Sequence, residues 1–172
     1  MKKLFLVPLA LGLSFCNCQK SVIASNTIVA IESPCPENGN CSIQIIRNKN
    51  MEVKTDEFGS VYYTMNDDSN KSVIVYQYKR TVEEGLEDGQ HREEIVFEIN
   101  NSDTEIHLTD NQLQDTKMLF GRYCFCKGQT GNYKVQKGTL NLTNKAGIVT
   151  VALDFQITKV PQLFTTVRTT VK

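Results

Sequence analysis

The stretch Gly147-Ile148-Val149-Thr150-Val151-Ala152-Leu153-Asp154-Phe155-Gln156-Ile157-Thr158 decides the fold class of this 172-residue chain. Val149, Val151, Leu153, Phe155 and Ile157 alternate with Ile148, Thr150, Ala152, Asp154 and Gln156. Side chains of an extended strand point alternately to opposite faces, so this pattern gives one apolar face and one mostly polar face. The same period recurs upstream and downstream. Ile95, Phe97 and Ile99 alternate with Glu94, Val96 and Glu98, while Ile74, Tyr76 and Tyr78 form another such face. Shorter echoes are Ile106 with Leu108 and Leu140 with Leu142. At the C-terminal end Leu163, Thr165, Val167, Thr169 and Val171 fall on one side, against Arg168, Thr170 and Lys172.

Turn signals separate these runs: Pro34 to Asn40, Lys127 to Asn132, and Asn144 to Gly147 at hairpin distance. The spacing predicts eight to ten short strands and no amphipathic helix. A solvated face on each strand is the antiparallel pattern. The fold class expected is all-β, a single antiparallel β-sandwich with a β-barrel as the alternative. With no repeat and no low-complexity linker, residues 25–172 read as one antiparallel β-domain.

Residues 1–24 read as a signal region. Lys2 and Lys3 precede an apolar run from Leu4 to Phe15, broken by Pro8, Gly12 and Ser14. The run is too short to span a bilayer, which takes about 20 apolar residues, and matches an export signal. The segment Leu13-Ser14-Phe15-Cys16-Asn17-Cys18-Gln19-Lys20 resembles the processing region of bacterial lipoproteins, and its Cys-Gln-Lys continuation looks like small envelope lipoproteins of Bacteroidota. The resemblance covers the signal region only. It implies lipidation at Cys18, in preference to Cys16, and a periplasmic or outer-membrane location in the cell envelope. Ordinary signal-peptide cleavage after Val22-Ile23-Ala24 is the competing expectation.

Charge narrows the partners. Nineteen basic and nineteen acidic residues leave a formal net charge of zero. A nucleic-acid binder carries a basic excess or stripe, so no nucleic-acid partner is expected. Membrane contact is expected only through the lipid anchor.

Of six cysteines, Cys35, Cys41, Cys124 and Cys126 fall in the mature part. An even number in an oxidising envelope suggests disulfides, with three connectivities for four cysteines. The Pro36–Asn40 turn predicts a Cys35–Cys41 bond, with cross-strand pairing to the second couple as the alternative. Cys124 and Cys126, two apart on a strand, would need a bulge to join each other, since their Cα atoms would sit near the upper limit of about 7 Å. A metal site built on all four fits poorly with tetrathiolate knuckle spacing, although Cys-x-Cys thiolates suit Cu(I). Metal ligation is therefore secondary to disulfides, and no cofactor is expected.

The remaining candidates are weaker. His107 lies near Asp103, Glu105 and Asp110, while His91 reads as a surface residue beside Glu93 and Glu94. No nucleophile motif accompanies either, so no catalytic residue is assigned. The acidic run Glu83 to Gly89 and the pair Asp67-Asp68 lack EF-hand spacing and read as solvated hairpin tips. Tyr62, Tyr63, Tyr76, Tyr78, Tyr123, Phe125 and Tyr133 suit strand pairing and core packing, or a sugar-binding face. These residues together favour a non-catalytic binding module for an envelope protein or small ligand. The alternatives are a metal-handling protein using Cys124 and Cys126, an envelope hydrolase built on His107, and an inhibitor or immunity protein.

Overall fold

The computed structural model describes residues 28–82 and 89–172. The signal region, with Cys16, Cys18 and Ala24, lies outside the described residues, as do residues 83–88 of the acidic run. The strands are β1 (Ile28–Ile31), β2 (Gly39–Thr55), β3 (Val61–Arg80), β4 (His91–Asn100), β5 (Glu105–Thr109), β6 (Leu119–Cys124), β7 (Gly131–Lys134), β8 (Gly138–Lys145), β9 (Ile148–Phe155) and β10 (Thr166–Val171). Every pairing is antiparallel. One sheet has the order β1-β10-β9-β8-β5 and the other β2-β3-β4-β6-β7.

Within residues 147–158, Ile148–Phe155 form β9. Val149, Val151, Leu153 and Phe155 point into the space between the sheets, where they meet Ile43, Ile45, Ile74, Tyr76, Tyr78, Ile95, Phe97 and Phe120. Burying a side chain of this size is worth roughly 1.5–3 kcal/mol, so this inter-sheet layer dominates the stability. The β8–β9 hairpin turns through Ala146 and Gly147, both with positive φ, as a two-residue loop of the primed type requires.

The second sheet departs from a plain sandwich. β2 and β3 are long, at 17 and 20 residues, rather than the short strands expected. Their register breaks between Arg47 and Lys49, where Asn48 has a φ of 58°. Beyond this bulge the hairpin curls back over the outer face of its own sheet, until Val61 of β3 pairs with Asn132 of β7. β3, β4, β6 and β7 thereby close a small four-stranded barrel. Met51, Val73, Val96 and Leu119 form its separate core, flanked by Val53, Tyr63 and Met65.

This closure overturns the expectation of one solvated face per strand. On β4 the odd positions face the main core and the even ones face the barrel, so Glu94 and Glu98 are buried. Asp67-Asp68 lie within β3 at the hairpin's bend instead of at a tip, with Lys49 Nζ 2.6 Å from Asp67 Oδ1. The true tip is Asp56–Ser60. There Asp56 Oδ1 accepts from the amides of Phe58 (2.9 Å) and Ser60 (2.7 Å), and Gly59 has a φ of 82°.

Two further differences are local. A 3-10 turn, Asp110–Thr116, follows β5 where no helix was expected; Thr109 and Gln112 cap it reciprocally, a Thr-x-x-Gln signature visible in the sequence. At the C-terminal end β10 starts only at Thr166, after an irregular segment around Pro161. Phe164 is consequently buried and Leu163 exposed, the reverse of the alternation read from Leu163 onward.

Candidate functional site

A cleft of about 400 Å³ opens where three pieces of chain meet. They are the β2–β3 tip, β7 with the residues that follow it, and residues 156–159 after β9. Phe58 stands on its rim at 84% exposure and Tyr133 is half-buried in its wall. Lys134, Lys137 and Lys159 line it, and no Asp or Glu does among the described residues. None of these three lysines forms an ion pair among the described residues. The remaining lining is uncharged, mixing hydrogen-bonding side chains such as Ser60, Asn132, Gln136 and Thr158 with apolar Val61 and Ile157. The volume falls within the range of small-ligand sites, about 300–1,000 Å³. A shallower depression adjoins it through Lys137 and Gln156.

The barrel closure builds this cleft. Folding the hairpin tip over the sheet brings Phe58 to β7, and Asn132 Nδ2 donates to the Val61 carbonyl at 3.0 Å to hold the two edges together. Behind Asn132 lies a buried polar cluster. Tyr63 Oη is 3.2 Å from Glu94 Oε1, and Tyr123 Oη is 3.1 Å from the same atom and 2.8 Å from Asn132 Oδ1. Arg92 reaches Glu94 Oε2 at 3.2 Å and lies 4.0 Å over the Tyr123 ring. Burial, reinforced by the Glu94 charge, pushes the Tyr63 hydroxyl up to about 12, and Tyr123 is raised by the same two causes.

A second cluster sits between the sheets. Glu93, fully buried, accepts from Arg122, from His91 Nε2 at 3.0 Å and from the Leu163 amide at 2.8 Å. Arg122 also donates to the Pro161 carbonyl at 2.9 Å. His91 is thus a core residue at 6% exposure, correcting the surface reading; its strand is covered by the opposite sheet. A buried carboxylate is tolerated only with such partners.

The other sequence candidates separate in space. His107 is exposed on β5 with Nδ1 2.5 Å from Asn141 Oδ1. Asp103 turns to Asn100, and Asp110 accepts from the Gly138 amide at 3.1 Å, so neither is bonded to His107. Cys35 and Cys41 are joined, with Cα atoms 5.7 Å apart. Cys124 and Cys126 are also joined to each other, at 5.2 Å, because β6 ends at Cys124 and the backbone bends at Phe125. Among the described residues no three His, Cys, Asp or Glu side chains group to hold a metal ion. Of the tyrosines, Tyr76 and Tyr78 pack the main core and only Tyr133 reaches the cleft. Phe58 and the three lysines escaped sequence reading because they are far apart in the chain; an aromatic inside the Asp56–Gly59 turn was the one local signal.

No protein-family model, curated protein or solved structure matches this chain.

Proposed function

We propose that the chain is an exported binding module of the cell envelope whose lysine-lined cleft holds an acidic saccharide without reacting with it. The observation that carries this reading is three lysines lining one concave site that no Asp or Glu lines among the described residues, Asp110 and Asp154 lining only the adjoining depression. On a chain of zero net charge, such a local excess attracts anions specifically to that spot. Phe58 offers an exposed ring for the apolar face of a sugar, and the neutral side chains offer partners for hydroxyls. The export signal and the Cys-Gln-Lys continuation support placement in the envelope, with Cys18 as the lipid anchor.

Calorimetric titration with an oligosaccharide of uronic acids, beside its neutral counterpart, tests the reading. Saturable binding of the acidic ligand alone is expected, weakening with added salt. Replacing Lys134, Lys137 and Lys159 together by Gln is expected to reduce affinity by about tenfold, since each exposed charge contributes up to roughly 1 kcal/mol. Equal binding of both oligosaccharides, or affinity unmoved by the triple substitution, would refute it.

A further inference from the structure

Cys124–Cys126 is a poor staple. Stabilisation by a disulfide grows with the length of chain it closes, and this one spans a sequence separation of 2. The turn that follows is already closed by hydrogen bonds: Thr130 Oγ1 donates to the Cys124 carbonyl at 2.6 Å, and the Gln129 amide donates to the Cys126 carbonyl at 3.1 Å. Opening the sulfur–sulfur bond therefore leaves the backbone held. Both cysteines are half-buried, and Phe125 between them is 83% exposed, an apolar contact beside reachable sulfurs.

The surroundings favour a thiolate on one side. Arg122 Nη2 lies 4.0 Å from Cys126 Sγ, and its guanidinium is fixed from behind by Glu93 and the Pro161 carbonyl. His91 sits directly across from Cys124 in the β4–β6 register, on the same Glu93 carboxylate. Glu93 offsets part of the Arg122 charge; the guanidinium keeps an Nε–H without an acceptor among the described residues. A cation beside a cysteine lowers the cost of its thiolate and makes it the better leaving group. Among the described residues no cation is hydrogen-bonded to a sulfur of the other disulfide, where Cys35 Sγ contacts the Gly39 carbonyl at 3.9 Å.

We propose that Cys124–Cys126 is a thiol–disulfide exchange site that oxidises polypeptides carrying a pair of free cysteines. One substrate thiol gives its proton to water and attacks Cys124 Sγ. The Cys124–Cys126 bond breaks, and Cys126 leaves as a thiolate beside Arg122. The second substrate thiolate then attacks the substrate sulfur of the mixed disulfide, releasing Cys124, and both protein thiolates take up protons. The substrate loses two electrons and two protons, and the protein disulfide gains them. A low-molecular-weight disulfide restores the site.

The test uses the full chain in glutathione buffers of stepped ratio, with acid quenching, alkylation and peptide mapping, and a synthetic dithiol peptide as substrate. Cys124–Cys126 is expected to be half reduced in buffers at least 100-fold less reducing than Cys35–Cys41 requires. The peptide is expected to be oxidised catalytically when glutathione disulfide is supplied, with that acceleration lost in Cys124→Ser/Cys126→Ser. Both pairs reducing together, free thiols at Cys124 and Cys126 in oxidised buffer, or equal peptide oxidation by the double variant would each overturn the proposal.

Discussion

Glu98 shows how much a single buried charge can hold together. Its Oε2 accepts from the Met51 amide at 2.7 Å, and its Oε1 accepts from Lys71 and, at 3.0 Å, from Lys117. It therefore ties the folded-back hairpin to β4 and to the turn before β6. Burial pushes its pKa up, but the hydrogen bonds from Lys71, Met51 and Lys117 outweigh that and hold it below the ordinary 4.5. A depressed carboxylate stabilises fully above its unfolded value and loses that contribution as pH falls through the folded one. Glu98→Gln should thus lower stability at pH 7 by about 2 kcal/mol in urea denaturation, with the gap to wild type narrowing below pH 4.5. The tyrosines on Glu94 carry the opposite sign. Tyr63 and Tyr123 should stay protonated in an ultraviolet titration well past pH 10, and their contribution should fade as pH rises through their raised folded values, about 12 for Tyr63. Two normal phenol titrations at these positions in the folded chain would show the cluster to be wrong. None of this was legible locally: Glu94 and Glu98 alternate with Ile95, Phe97 and Ile99 just as solvated residues do, and what buries them comes from the folded-back hairpin together with β6 and the turn before it.

At the level of elements, legibility depended on where each strand finds its cover. β9 and β8 were readable because one sheet face meets the core and the other meets water, so composition reports the pairing directly. β2 and β3 were not, since their distal halves meet their own sheet and carry a mixed pattern such as Val61, Tyr63 and Met65 among Tyr62, Thr64 and Asn66. The barrel they close is narrow, and Gly121 on β6 shows it. A Cβ there would lie 2.8 Å from the Tyr123 ring and 2.9 Å from Glu94 Cγ. Gly121→Ala should cost roughly 1–3 kcal/mol as overpacking. It should also bring the Tyr123 titration down toward normal, because the ring must move off Glu94. A stability equal to wild type would mean that the barrel interior has room to spare.

Across the whole molecule, the cysteine spacing and the Pro36–Asn40 turn pointed to the Cys35–Cys41 bond, whereas the cleft was invisible because its walls are brought together only by the hairpin's return to β7. Cys35–Cys41 fastens the loop that enters β2, where Tyr78 Oη donates to the Glu37 carbonyl at 3.1 Å. Replacing both cysteines by Ser should lower stability by roughly 2 kcal/mol, as for any short closed loop. Thermal unfolding should still be a single cooperative transition, because both sheets survive the change. The sheet order carries one more implication. β1 pairs only with β10, Ile28 opposite Val171, so the first strand described waits for the last. A chain that emerges N-terminus first cannot finish this sheet until β10 is available. Folding should accordingly be slow, on the millisecond-to-second scale of non-local β-topologies. Until then two strand edges stay unpaired, and this is the interval in which a chaperone would matter most.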